Sequence, residues 1–453
     1  MVVPSDLASL DSAGKDALIL SLIERLERLE AENAGLRARL GDPPKTPENS
    51  SLPPSRGAKA SAPAAEAATT KAKPHEGAHR SLHADPTRRI DARAERCGHC
   101  HADVSAVRQS VVESYDHIEI PVVVPDVTRV ALHGGTCPCC ARRFKAPAPE
   151  GLAKGSPFGP NLRALVIYLR FTQAIGFDRL ARLLGDLLGL QISEGALINI
   201  LQAARAAFAA QSARFREKLL SGTALASDET GMRVGKANWW LWVFHHADSA
   251  VFVAAPSRAK SVPMAFLGDV RPDYWLSDRY GGQMGFAAKE NQVCLAHLLR
   301  DIQFARDQGE EVLAPALIHL IGRACRIGRR RSRLADATLK AYARKLDASL
   351  DAIMAREPTG APGRKLKRMI RKIRRHLFVF VTTRDIEATN NGSERALRPC
   401  VTFRKVTNGF RASWAASLYA DIRSVLETAR RRTIGALHAI RLTLQGQVLA
   451  LPS

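Results

Sequence analysis

The chain has 453 residues, of which 46% are apolar and 25% charged. At about 150 residues per domain this is enough for roughly three folded domains, which excludes a wholly disordered or fibrous protein. Sixty-seven Lys and Arg against 44 Asp and Glu leave a net charge of +23, and no uninterrupted apolar run spans a bilayer, which takes roughly 18 residues; the balance favours a polyanionic partner, most commonly nucleic acid, and no membrane.

The chain start carries Asp6, Asp11 and Asp16 and no basic cluster, so it does not read as a secretory signal and a cytoplasmic location follows. Within residues 1–40, Ile19, Leu22, Leu26, Leu29, Asn33, Leu36 and Leu40 step by alternating threes and fours. That is a coiled-coil seam, and a lone Asn in a core position is a register device of parallel dimers. The spacing predicts a zipper helix and a homodimer or higher oligomer. Residues 41–91 then turn Pro-rich and Ala/Lys/Ser-rich, with too few large apolar side chains to fold, and read as a linker.

Five of the eight cysteines lie between Cys97 and Cys140. Cys97-x-x-Cys100 and Cys137-x-x-Cys140 flank a middle whose segments 117–120 and 127–132 alternate at period two, as strands do. Two such pairs suit a tetrahedral thiolate site, so residues 92–150 read as a zinc-ribbon-like module holding one structural Zn²⁺. Cys139 is surplus, and His99 and His101 are substitute ligands.

Residues 151–216 read as helical. Leu180, Leu183, Leu184, Leu187 and Leu188 form one stripe, Gly189 ends that helix and Ser193 caps the next. The pattern fits a helix-turn-helix or a purely structural helical hairpin. From 217 to 309 the period shifts. Strands over 223–234, 238–246 and 250–255 follow one another, then a helix over 260–267, a strand over 274–278, a strand over 292–296 and a helix from His297. This multidomain α/β order is that of a ribonuclease H-like layer.

Residues 310–380 read as a basic helical insertion. Arg323, Arg326, Arg330 and Arg333 share one face; so do Arg364, Arg368, Arg371 and Arg375, opposite Leu366, Ile370, Ile373 and Leu377. Neither stretch contains an acid, which favours phosphate contact over a merely solvated face. Residues 381–453 complete the layer and end in helices.

Three acids stand out: Asp228 in the first strand of the layer, Asp278 at the end of the fourth, and Glu394 at a helix start. Carboxylates among apolar neighbours need a partner or a cation. Oxygen ligands of this kind suit Mg²⁺, and two such ions clamp the attacking and leaving oxygens of a phosphoryl displacement. Glu229 rivals Asp228, because strand phase is uncertain by one residue; Glu387 and Asp421 are weaker rivals of Glu394.

The chain resembles the acid-triad transposases of bacterial insertion sequences, specifically the IS66 type. The resemblance rests on the zipper, Pro47-Glu-Asn-Ser-Ser-Leu-Pro-Pro, the two cysteine pairs, Asp228-Glu-Thr-Gly, Cys294-Leu-Ala-His297, and Asn390-Asn391 ahead of Glu394-Arg395-Ala-Leu-Arg398-Pro. It departs at Thr389, where members often have Asp, and at Val406, where Asn is commoner after Lys. The resemblance implies that Asp228, Asp278 and Glu394 are a catalytic triad holding two Mg²⁺ or Mn²⁺ ions. It implies hydrolysis that frees a 3′ hydroxyl at the element's end, then attack of that hydroxyl on target DNA. Arg395, Arg398, Arg404 and Lys405 are expected phosphate contacts near the scissile bond. Small accessory proteins of the same element and association with the nucleoid are further expectations. Two other readings stand beside it: a ribonuclease H-like nuclease that only cuts, and a zinc-ribbon DNA-binding regulator with an inactive core.

Overall fold

The computed structural model describes residues 11–39, 45–46, 80–152, 155–279, 281, 284 and 288–450. Most of the linker reading and Leu40 fall outside these. Helix α1 (Ser12–Arg39) follows the predicted seam. Its Ile19, Leu22, Leu26 and Leu29 are all more than half exposed, so this part of the seam is not packed on the described residues of its own chain.

In the cysteine-bearing module the only strands among the described residues are β1 (Gly134–Thr136) and β2 (Arg143–Lys145), paired antiparallel. The strands expected over 117–120 and 127–132 do not form. Their apolar side chains, Ile118, Ile120, Val127 and Val130, lie exposed. Alternation specifies a strand only where one face has something to pack against, and this module has no core to offer.

The helical segment contains α2 (Pro160–Ile167), a π-helical turn at Tyr168–Thr172, α3 (Phe177–Leu188) and α4 (Glu194–Leu220). Gly189 ends α3 in the left-handed region, where a Cβ would be strained, and the Ser193 hydroxyl accepts from the Ala196 N–H at 3.2 Å. Helix α4 ends four residues beyond the helical segment expected over 151–216. Its Leu197, Ile200, Leu201, Phe208 and Phe215 are buried, and its far half packs on the sheet.

That sheet has five strands: β3 (Ala224–Val234), β4 (Ala237–His246), β5 (Ser249–Ala255), β6 (Tyr274–Ser277) and β7 (Glu290–Val293). Their order is β5-β4-β3-β6-β7. The first three are an antiparallel meander, whereas β6 joins β3 in parallel and β7 joins β6 in parallel. Two-residue turns make both hairpins, the first with Gly235 at positive φ. The open edge of β5 is covered by a helix: Ala250 N–H donates to Thr428 Oγ1 at 3.0 Å and Phe252 N–H to Ser424 Oγ at 2.8 Å.

Between β5 and β6 lies α5 (Ser261–Leu267); after β7 comes α6 (Leu295–Asp307). The fifth strand therefore ends three residues sooner, and the helix starts two residues sooner, than the periodicity suggested. The apolar run Val293-Cys-Leu-Ala296 fits either period, and length alone does not separate them. The basic insertion is all-helical, as expected: α7 (Leu313–Arg330), α8 (Asp336–Met354), α9 (Ala361–Ile373) and α10 (Val379–Thr382). The chain then returns to the sheet with α11 (Asn391–Thr407), α12 (Ser413–Arg431) and α13 (Ala436–Leu444). One core joins the meander to α4, α11, α12 and α13; a second joins Ala226, Leu276 and Val293 to α6–α10. Among the described residues no helix is long and apolar enough to cross a membrane.

Candidate active site

The parallel pairing of β3 with β6 sets the first two acids. Its register is Ala224↔Tyr274, Leu225↔Trp275 and Ala226↔Leu276. Side chains alternate along a strand, so two residues further on Asp228 and Asp278 share the face of Ala226 and Leu276, at equal height, where the strands part. Glu229 is on the other face. Its carboxylate, almost wholly buried, pairs with Nε of Arg258 at 2.7 Å. The one-residue ambiguity in strand phase is thus removed by register: Asp228, not Glu229, faces the same way as Asp278.

Glu394 comes from the first turn of α11, and β3 holds that helix at both ends. At its start, Nδ2 of Asn390 donates to the Ser227 carbonyl at 2.7 Å, one residue before Asp228. The Asn390 N–H meets Sγ of Cys294, at the head of α6, at 3.1 Å. Just past its end, the Phe410 N–H donates to the Arg233 carbonyl at 2.9 Å and the Phe410 carbonyl accepts from Gly235 N–H at 2.7 Å. Arg404 adds a bond to the Gly231 carbonyl.

The electrostatics link the three acids. Burial pushes the Asp228 carboxyl up to about 8; the charge of Glu229 and, more weakly, those of Asp278 and Glu394 push the same way, against a stabilising bond from the Glu229 N–H. The three therefore share one field. His297 stands beside them, with Nε2 3.7 Å from Oε1 of Glu394, outside hydrogen-bond reach. Its Nδ1 is buried without a hydrogen-bond partner. Burial lowers its pKa, as does Arg300, while Glu394 and Asp278 oppose the shift. Beyond Asp278, Arg279 pairs with Asp301 of α6 and reaches Met369 of α9, tying the layer to the insertion.

The rival acids stand elsewhere. Glu387 is largely exposed and pairs with Arg331 at 3.2 Å. Asp421 lies in α12, where burial lifts its carboxyl to about 6 near Ser212 and Arg205 of α4.

Residues 155–418 match the family model described as Transposase IS66 family. The chain belongs to the IS66 family of transposases. The matched span covers more than half the sequence and contains all three acids; α1 and the cysteine pairs lie outside it. No curated protein matches the chain.

The basic residues of this family member divide by role. Arg323, Arg326 and Arg330 lie on α7 with Arg329, lining a groove with Leu334 and Tyr342 of the following turn and α8. Arg333 falls in a 3₁₀ turn just after α7. Arg364, Arg368 and Arg371 are exposed on α9 and Arg375 on the turn after it, opposite the buried Leu366, Ile370, Ile373 and Leu377. Arg395, Arg398 and Lys405 are exposed on α11. Arg404 is engaged by β3. Arg331, within the basic run, is structural: its buried guanidinium donates to the carbonyls of Phe380, Arg384 and Ile386.

The two cysteine pairs adopt the same turn. The Cys97 carbonyl accepts from His101 N–H and the Cys137 carbonyl from Ala141 N–H, both at 2.9 Å, and the two cysteine N–H groups donate to Ala102 and Arg142 at 2.9 Å. Backbone N–H bonds from Cys100 and His99 lower the Cys97 thiol, and those from Cys140 and Cys139 lower Cys137. Each turn thus favours thiolate at its first cysteine. Among the described residues no three His, Cys, Asp or Glu side chains stand close enough together to hold a metal ion. That covers both the thiols and the acids. In donor type both sets fit: hard carboxylate oxygens for Mg²⁺ and turn-held thiolates for Zn²⁺.

Sequence reading missed Ser227, His245 and Ser393, which surround the start of α11. Single hydroxyl and imidazole groups within apolar strands or a helix's first turn carry no periodic signal; only their contacts reveal them.

Proposed function

We propose that this IS66-family chain is the transposase of an insertion sequence, which binds the element's ends and catalyses metal-dependent cleavage and strand transfer with Asp228, Asp278 and Glu394. The observation that carries the proposal is the β3–β6 register: it sets Asp228 beside Asp278 on one face, in the field of Glu394. The strand order, with a three-stranded meander followed by two parallel strands, supports a ribonuclease H-like core interrupted by the α7–α10 insertion.

Asp228, Asp278 and Glu394 would hold the divalent ions. When bound, a pair of Mg²⁺ or Mn²⁺ ions supplies activation of the attacking oxygen and stabilisation of the leaving one. The chain does the rest. Its strand register and the clamp on α11 orient the three carboxylates. The exposed Arg395, Arg398 and Lys405 share α11 with Glu394, where a phosphate backbone would lie, and Arg404 braces that helix on β3; the exposed arginines of α7 and α9 would make further phosphate contacts. Cys97, Cys100, Cys137 and Cys140 would close on one Zn²⁺, and α1 would pair with a second copy through its exposed seam.

The test is Asp278→Ala. It is expected to abolish Mg²⁺-dependent joining of a pre-cut element end to target DNA, at least about 10³-fold, while end binding in a gel-shift assay stays at the parental level. Retained joining would refute the active-site assignment. Cleavage by the parent protein without any joined product would favour the nuclease reading.

A further inference from the structure

The turn that delivers Glu394 is held by a chain of hydrogen bonds whose direction can be deduced. Ser393 Oγ donates to Oδ1 of Asn390 at 2.7 Å. Its single proton is thereby used, so the 2.9 Å contact with Nε2 of His245 must run the other way, with the imidazole N–H donating. Asn390 passes the direction on, since its Nδ2 donates to the Ser227 carbonyl at 2.7 Å. His245, Ser393, Asn390 and Ser227 are all buried, with exposures of 7%, 0%, 1% and 0%. Burial, with the charge of Arg431, lowers the His245 pKa well below the usual imidazole value, and the neutral ring then carries its proton on Nε2.

The chain begins on β4, crosses α11 and ends on β3, so it spans the elements that carry Asp228 and Glu394. His245 pairs with Ala226 in the sheet and therefore lies on the Asp228 face. Ser393 and Ser227 each immediately precede one of the two acids. The fit leaves no slack: a Cβ on Gly392 would stand 3.0 Å from Cε1 of His245. Four buried polar groups satisfied in sequence fix one arrangement, because breaking any bond strands a partner away from water.

We infer that His245, Ser393 and Asn390 are positioning residues that set Glu394 against Asp228, none of them a metal ligand. This rests on the proposed role of Glu394. Removing a group that orients a ligand typically weakens metal affinity or activity about 10–100-fold.

The test uses full-length protein carrying His245→Leu, His245→Gln or Ser393→Ala, with Glu394→Gln as control. Mn²⁺ binding is measured by electron paramagnetic resonance without DNA. Cleavage is followed in single turnover on a plasmid carrying the DNA that flanks this reading frame. His245→Leu and Ser393→Ala are expected to weaken Mn²⁺ binding about 10–100-fold and to slow cleavage at saturating plasmid, with plasmid affinity unchanged. His245→Gln, whose amide can donate from the place of Nε2, is expected to recover most of both. Parental Mn²⁺ affinity and rate in Ser393→Ala, beside an inactive Glu394→Gln, would overturn the inference alone. A Glu394→Gln protein that binds Mn²⁺ and cuts like the parent would overturn the active-site reading and this inference with it. Should His245→Leu not fold, Ser393→Ala, which removes one oxygen, decides.

Discussion

Two regions of the molecule offer metal-ligating side chains, and they are built on opposite terms. The acids of the candidate site stand on or beside a five-stranded sheet covered by helices, and the turn bearing Glu394 is gripped by buried bonds. The thiols of the cysteine module sit on two short turns, exposed or half-buried, beside a pair of three-residue strands. In the first region the polypeptide supplies the order, and a cation would only relieve crowded charge. In the second the polypeptide supplies the turns, and a cation would have to supply the order. A structural Zn²⁺ in so small a unit would be part of its folding free energy, whereas Mg²⁺ on carboxylates carried by an already folded sheet would not.

The largest expected effect breaks the two apart. Protein purified without chelator is expected to carry about one zinc per chain, read by atomic emission. Stripping that zinc, or replacing Cys97 or Cys140 with Ser, should raise the rate of proteolytic cleavage within residues 92–150 on the order of 100-fold. Residues 155–450 should resist as before, and removing Mg²⁺ should leave both regions unchanged. Equal resistance of the module with and without zinc would show that it folds by itself.

The same contrast explains what the sequence disclosed. In the layer, buried strands and amphipathic helices have a core to report on, and β3, β4, β5, α5 and β6 stand within a few residues of where periodicity put them. The helix bearing Glu394 starts where its motif suggested, and the α9 pattern of buried Leu366, Ile370 and Ile373 opposite exposed arginines is as written. In the module, the alternation of Ile118, Ile120, Val127 and Val130 promised strands that have nothing to pack on. Side-chain alternation encodes a face, not the presence of a partner for it. The geometry of the candidate site was legible only in part. The three acids could be named from their settings, but the choice between Asp228 and Glu229 needed the register of β3 on β6. No local signal could show that Glu229 is held by Arg258, or that His245 meets Ser393 across 148 positions of sequence.

A smaller effect sharpens the difference between charge inside the core and charge outside it. Burial raises the Asp421 carboxyl to about 6, above the 3.8 of a free one. The folded state therefore binds a proton that the unfolded chain has released, and stability falls as pH rises from about 4 to about 6. Asp421→Asn removes that loss. It is expected to stabilise the core by about 2 kcal/mol at pH 7.5, as urea denaturation would measure, and to bring no gain at pH 3.5. Asp103 of the module is the counterpart. Bonds from Ser105 lower its carboxyl at an exposed site, so Asp103→Asn should bring no gain at either pH. A pH-independent gain in Asp421→Asn would mean that packing, not ionisation, sets its cost.

The smallest effect lies in the backbone of the cysteine turns. His101 and Ala141 occupy the same place in the two turns, four residues after the first cysteine, and both have positive φ, 60° and 53°. That conformation crowds the Cβ of an L-residue against its own carbonyl, at a cost of about 1–2 kcal/mol that glycine avoids. Part of the gain returns as added freedom of the unfolded chain. Ala141→Gly should therefore stabilise the second turn by about 1 kcal/mol, which corresponds to about fivefold tighter zinc in a competition titration with a chromogenic chelator. Because Ala141 is exposed and its side chain makes no hydrogen bond, packing does not compete with the backbone term. Unchanged zinc affinity would mean that metal binding does not draw on this turn, and the module's order would then have to come from elsewhere.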